Sequence, residues 1–209
     1  MLKTVFQPAP KSSDRLLIAL HGLGDCKESY QDIVTAMGIE DLNCLAVDAP
    51  DEYYGGYSWF DYYGGDPIPG IIRSRKLLAE LLDRQREEGF PTERTYLLGF
   101  SQGCLMTIEM GARYPHLFAG LIGISGKVAQ RDVLLSERSE ICNQQRFLIT
   151  HGHFDPVIPF APVKDDIHFL KNHGFNITWK EYPKDHTIYG REELGDIRDF
   201  IQSGPAPSE

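Results

Sequence analysis

Thr95-Tyr96-Leu97-Leu98-Gly99-Phe100-Ser101-Gln102-Gly103 is an apolar run that ends in G-x-S-x-G. A serine hydroxyl becomes a useful nucleophile when it projects from a sharp strand-to-helix turn, where a base can reach it. Such a turn strains the serine backbone and presses strand and helix together. A Cβ on either flanking residue would collide there, and glycine at 99 and 103 meets that demand. The pentapeptide alone is a weak signal in a chain with 20 glycines. Its setting strengthens it, because Thr95–Phe100 reads as a strand, Gln102–Arg113 reads as a helix, and suitable partners follow downstream. The plain alternative is a Gly-rich structural turn.

A nucleophilic serine needs a base, and the base needs an orienting carboxylate. At a strand–turn–helix serine the partners follow in the chain order acid, then histidine. Thr150-His151-Gly152-His153-Phe154-Asp155-Pro156 follows the apolar run Arg146–Thr150, which puts Asp155 in a strand-end loop. The later histidines are His168, His173 and His186. The first two fall in a polar-faced helix, whereas His186 lies between the run Ile177–Tyr182 and the last helix. Ser101 is therefore assigned as nucleophile, His186 as general base and then acid, and Asp155 as orienter. The simpler alternatives are a surface-loop histidine and a turn-forming Asp before proline.

Attack on a carbonyl also requires donors for the oxyanion. The N–H of Gln102, just after the nucleophile, is one candidate. The loop His21-Gly22-Leu23-Gly24-Asp25 follows the strand-like run Leu16–Leu20, and Leu23 N–H is the second candidate. Each donor of this kind contributes roughly 10²–10³ in rate. His21 is read as a loop-shaping residue. His151-x-His153-x-Asp155 looks like the start of an H-x-H-x-D-H metal motif, but Pro156 stands where the last histidine would be. No metal or other cofactor is expected.

The stretch Asp51 to Asp66 interleaves Tyr53, Tyr54, Tyr57, Trp59, Phe60, Tyr62 and Tyr63 with four glycines. It follows the strand-like run Cys44–Val47 and could overhang the serine. Tyr57 and Trp59 are its candidate substrate-binding residues, since pockets are mostly apolar and aromatic. The alternative is a loop packed down by its own aromatics. As an exposed aromatic surface it could equally serve a homodimer interface.

These residues need a scaffold that gathers loops at one edge. Apolar runs alternate with helical patterns in the manner of βαβ units. Strands are expected at Leu2–Phe6, Leu16–Leu20, Cys44–Val47, Thr95–Phe100, Gly120–Ile124, Arg146–Thr150 and Ile177–Tyr182. Helices are expected at Tyr30–Met37, Ile71–Glu88, Gln102–Arg113, Val163–His173 and Gly190–Ser203. The strands are continuous apolar runs, as in a parallel sheet covered on both faces. In such sheets ligands sit at the carboxyl ends of the strands, where each candidate residue falls. Residues 1–202 suit one domain, with a disordered tail at 203–209. Between Gly126 and Gln145 there is too little chain for a cap domain.

The net charge of −9 argues against nucleic acid and against anionic membrane. Leu16–Leu20 and the other apolar stretches are strand-sized, so no membrane-spanning insertion is expected. Met1 to Phe6 lacks the features of a secretory signal. Cys26, Cys44, Cys104 and Cys142 are scattered, as free thiols in a cytoplasmic protein would be.

Together the motifs Leu20-His21-Gly22-Leu23-Gly24-Asp25, Ser58-Trp59-Phe60-Asp61, Gly99-Phe100-Ser101-Gln102-Gly103, Gly123-Ile124-Ser125-Gly126, His151-Gly152-x-x-Asp155-Pro156-Val157-Ile158-Pro159 and His186 resemble the carboxylesterase/phospholipase family that includes the acyl-protein thioesterases. The resemblance runs from about Leu16 to Phe200. It implies an α/β-hydrolase fold, a mostly parallel central sheet flanked by helices and without a cap domain. It implies hydrolysis of carboxyl esters or thioesters, with Ser101, Asp155 and His186 as triad and Leu23 and Gln102 as oxyanion donors. Val157 becomes a third candidate for substrate contact. The implied partner is a small or lipid-like acyl ester, with acylated protein as a further candidate. Cys104 stands where the family usually has glycine or alanine, and Lys184-Asp185 where a hydrophobic-glycine pair is common. The alternative function is a ligand-binding protein or receptor on the same fold with little turnover; a peptidase or C–C hydrolase would share the triad.

Overall fold

Runs such as Leu16–Leu20 have no polar face, so they are stable only when both sides are covered. The structure, a computed structural model that describes residues 1–61 and 64–204, shows how this is met. Seven strands form one sheet: β1 (Thr4–Gln7), β2 (Leu16–Leu20), β3 (Asn43–Val47), β6 (Thr95–Phe100), β7 (Gly120–Ile124), β8 (Arg146–Gly152) and β9 (Asn176–Tyr182). Their spatial order is β1-β3-β2-β6-β7-β8-β9. Only β1 runs antiparallel to its neighbour; the other pairs are parallel.

Alternate residues of each strand feed two cores. Leu16, Ile18, Leu20, Leu97, Leu121 and Phe147 pack with helices α2 (Ile68–Glu87), α3 (Gln102–Arg113), α4 (Arg131–Ser136) and α5 (Phe160–Asn172). Leu17, Ala19, Leu98, Ile122 and Leu148 pack with α1 (Ile33–Met37) and α6 (Gly190–Gln202) on the opposite face. This is the expected α/β-hydrolase architecture. Between β7 and β8 the chain holds only α4 and a 3-10 turn at Cys142–Gln144, and no cap is inserted there.

Three strands and one helix have the bounds expected from sequence; the remaining ends shift for local reasons. The expected Tyr30–Met37 helix is divided into a 3-10 turn at Lys27–Tyr30 and the short α1. Asp48 accepts both the backbone N–H and the Nζ of Lys27, which pins that turn separately. Helix α2 begins earlier than Ile71 because Asp66 accepts the Ile68 N–H. A hairpin was not expected: β4 (Asp51–Tyr53) pairs with β5 (Gly56–Ser58). Its two-residue turn places Tyr54 at φ 43° and Gly55 at φ 90°, and tyrosine in such a position hides the usual Asn-Gly signal. Tyr62 and Tyr63 of the aromatic stretch lie outside the described residues. So do residues 205–209 of the expected tail, but Ser203 does not behave as tail. Its Oγ accepts from Arg146 at 3.0 Å and donates to the Phe200 carbonyl, which fastens it to α6.

One register matters for function. Leu20 of β2 pairs with Gly99 of β6, and Leu23 and Gln102 each follow three residues after that pair.

Candidate active site

Ser101 caps α3 with φ 54° and ψ −112°, a strained conformation for a residue with a side chain. Its N–H donates to the Ile124 carbonyl at 2.9 Å, which holds the turn to β7. The glycines on either side leave no room for substitution. A Cβ on Gly99 would lie 2.1 Å from the Gly103 carbonyl oxygen, and one on Gly103 would lie 2.2 Å from that of Leu20.

Ser101 Oγ is 2.9 Å from His186 Nε2, and His186 Nδ1 is 2.7 Å from Asp155 Oδ2. An Nδ1–H that donates to the carboxylate leaves Nε2 as acceptor for the serine hydroxyl. The other oxygen of Asp155 accepts the N–H groups of Val157 and Ile158 at 2.9 and 2.8 Å. Burial opposes the Asp155 charge, but these N–H groups and His186 outweigh it, and the carboxyl is held below its ordinary range. A depressed acid contributes stability above its unfolded value, about 3.9, that disappears as pH falls through the folded value. The urea midpoint of the wild type should therefore exceed that of Asp155→Asn near neutrality, with the gap closing below about pH 4. A gap that widens in acid would contradict the direction of the shift.

Neither Leu23 nor Gln102 donates its N–H to a backbone carbonyl among the described residues. The Gln102 side chain is occupied elsewhere: its Oε1 accepts the Trp59 N–H at 2.9 Å and its Nε2 donates to the Phe60 carbonyl at 3.0 Å. The loop carrying Leu23 is fastened by His21. The His21 Nε2 accepts the Ala49 N–H at 3.0 Å and its Nδ1 lies 2.6 Å from the Gly22 carbonyl. Burial pushes the His21 pKa down, so the ring is neutral and shapes the loop.

A cleft opens beside Ser101, lined by Leu23, Phe60, Phe100, Leu105, Val157 and Ile158 among others. Val157 is where a substrate contact was expected. Trp59 and Tyr57 do not line the cleft, which corrects their expected role. Trp59 is fully buried and its indole donates to the His21 carbonyl at 2.9 Å. Tyr57 faces away, within reach of the Lys3 ammonium, while its carbonyl accepts from Gly24 N–H. Both residues thus fix the loop that carries Leu23 from behind. Trp59→Phe removes a buried donor and should cost about 1–3 kcal/mol in thermal denaturation without moving the acyl-length optimum; a moved optimum would return Trp59 to the pocket. Phe60, Leu105 and Ile158 are wall residues with no signal of that role in the sequence. Phe60 lay in the aromatic run, but its inward direction depends on the Gln102 bracket, which has no linear signature.

A second hollow lies across the Phe100–His186 ring contact, whose centroids are 4.9 Å apart. The H-x-H-x-D histidines go elsewhere: His151 Nε2 lies 2.9 Å from the Ile158 carbonyl, and His153 pairs with Glu181. No group of His, Cys, Asp or Glu among the described residues is arranged to hold a metal. Cys104 does not crowd the elbow. Gly123 and Gly126 make its space, since a Cβ on Gly126 would lie 2.4 Å from that of Cys104. Burial pushes its thiol up to about 12.

A family model described as phospholipase/carboxylesterase matches residues 3–204. The chain belongs to this family. Like other phospholipase/carboxylesterase members, it is a hydrolase of ester bonds. It is 26% identical over 213 residues to acyl-protein thioesterase 1 of Yarrowia lipolytica, covering 93% of this chain and 94% of that one. To acyl-protein thioesterase 1 of Schizosaccharomyces pombe it is 30% identical over 156 residues, 68% and 69% of the two chains. The crystal structure of Arabidopsis thaliana SOBER1 superposes with a TM-score of 0.83 at 25% identity, covering 92% of this chain and 99% of that one.

Proposed function

We propose that this phospholipase/carboxylesterase-family chain is a serine hydrolase that cleaves acyl esters and thioesters through an acyl-Ser101 intermediate. The unbroken chain of hydrogen bonds Ser101–His186–Asp155 carries this reading. His186 Nε2 takes the hydroxyl proton as Ser101 Oγ attacks the acyl carbonyl. The oxyanion is received by the N–H groups of Leu23 and Gln102. The C–O or C–S bond then breaks, and the leaving alkoxide or thiolate takes the proton from His186. Water, deprotonated by His186, attacks the acyl-serine; the collapsing intermediate releases the acid, and the proton returns to Ser101.

The apolar wall of Leu23, Phe60, Leu105, Val157 and Ile158 suits the acyl chain, and the hollow beyond Phe100 suits the leaving group. A small or lipid-like acyl ester fits this arrangement, and the names of the fungal relatives add acylated protein to the substrate class. A cytoplasmic setting is supported by four cysteines that are all free. No helix among the described residues is long and apolar enough to cross a membrane.

The test is a ladder of p-nitrophenyl esters from acetate to palmitate, with a fluorophosphonate label located by mass spectrometry. Turnover with the label on Ser101 supports the reading, and the chain-length optimum sizes the acyl lobe. Saturable ligand binding with neither turnover nor label would replace it with a binding protein on the same fold.

A further inference from the structure

Behind His186 lies an ion pair that the mechanism does not use. Lys184 Nζ is 2.6 and 2.8 Å from the two carboxylate oxygens of Glu193, and both side chains are fully withdrawn from solvent. Removing two charges from water costs several kcal/mol per ion, and apolar side chains of similar volume are often as stable or more so. As a device for stability alone, the pair is a weak choice.

Its connections give it another role. Glu193 Oε2 also accepts the Tyr189 N–H at 2.6 Å. The Lys184 carbonyl accepts the N–H of Phe154, the residue before Asp155, at 3.1 Å. The chain before Asp155 presses close: a Cβ on Gly152 would fall 2.3 Å from the Lys184 carbonyl oxygen and 2.8 Å from its Cγ. His186 sits between Lys184 and Tyr189. The segment that carries the base is thus closed at both ends through one carboxylate and tied to the segment that carries the acid.

We propose that Lys184 and Glu193 are positioning residues, a buried clasp that fixes the His186 loop against Asp155 and Ser101. This rests on the reading of His186 as the base. A base displaced by about 1 Å can lose on the order of a hundredfold in rate while substrate still binds. The clasp should therefore govern kcat and leave KM alone.

The decisive variant is Lys184→Met combined with Glu193→Gln. Methionine fills the lysine volume, and glutamine keeps an acceptor for Tyr189 N–H, so the link is cut without leaving a lone buried charge. Active sites are counted by complete fluorophosphonate titration, and kcat is expressed per titrated site. The expected result is a folded protein whose kcat per site falls about tenfold to a hundredfold, with KM within about twofold. Ile197→Val, on the same helix but outside the clasp, should lower the thermal midpoint and leave kcat per site unchanged. A double variant that keeps wild-type kcat per site, or that does not fold, overturns the proposal. Failure of the wild type to label at Ser101 would instead sink the serine reading, and the clasp with it.

Discussion

Ser101→Ala should lower kcat by roughly 10⁴–10⁶ on every ester of the ladder, by analogy with other serine triads. In the proposed mechanism the Ser101 hydroxyl is the atom that forms the acyl bond. Cys104 is buried behind it, and its thiol is pushed up to about 12. The substitution should leave the fold nearly unchanged. Among the described residues the Ser101 side chain bonds to His186 alone, while the turn is held by the Ser101 N–H on Ile124 and by the glycine contacts. In the proposed mechanism, residual rate over water would come from the N–H groups of Leu23 and Gln102. Initial rates by p-nitrophenolate release, with the thermal midpoint as a check on folding, measure this directly. Activity within tenfold of the wild type would remove Ser101 from the mechanism.

Gly103→Ala is the largest expected effect on the fold itself. The new methyl would sit 2.2 Å from the Leu20 carbonyl oxygen and 2.9 Å from that of His21. Both are backbone atoms at the end of β2, in a ladder that cannot shift one residue alone. Overpacking in a close-packed core costs about 1–3 kcal/mol and more where nothing can yield, so a loss of at least about 3 kcal/mol is expected here. The collision also pushes Leu23 away from Gln102, so activity should fall in the molecules that remain folded. Gly195→Ala on α6 provides the contrast, because among the described residues nothing beyond its chain neighbours and its own helix backbone lies within 4 Å of the added Cβ. There, alanine should stabilise by about 0.4–1 kcal/mol through the unfolded state. Urea midpoints of the two variants should move in opposite directions; a tolerated alanine at 103 would mean that the close approach of elbow and β2 is not required.

Much of this architecture was written in local patterns. Leu16–Leu20 and Thr95–Phe100 are uninterrupted apolar strands, and the glycines at 99 and 103 announce a turn that only they permit. Asp155 and His186 stand out because each follows a strand end. The less legible parts depend on contacts between distant segments. Whether Trp59 faces a ligand or the core is decided by the His21 carbonyl, which accepts its indole N–H. Phe60 turns toward the cleft because Gln102 holds its carbonyl. Lys184 read as a departure from the family pattern, and the departure becomes intelligible only with Glu193 beside it, nine residues on. The hairpin at 51–58 has no local signature because Tyr54 occupies a conformation normally left to glycine or asparagine.

The pairing of Leu20 with Gly99 makes turnover a gauge of folding fidelity. Leu23 and Gln102 each stand three residues beyond Leu20 and Gly99, which β2 and β6 pair in that one alignment. A slip of one residue would reverse which side chains face each core and displace one N–H group relative to the other by about 3.3 Å. A refolded sample could then show normal helix content and yet hold an incomplete version of the proposed oxyanion site, forfeiting roughly 10²–10³ in rate for the missing donor. Specific activity recovered after denaturation would thus report how many molecules had found the right alignment at the centre of the sheet, a quantity to which far-UV spectra are blind.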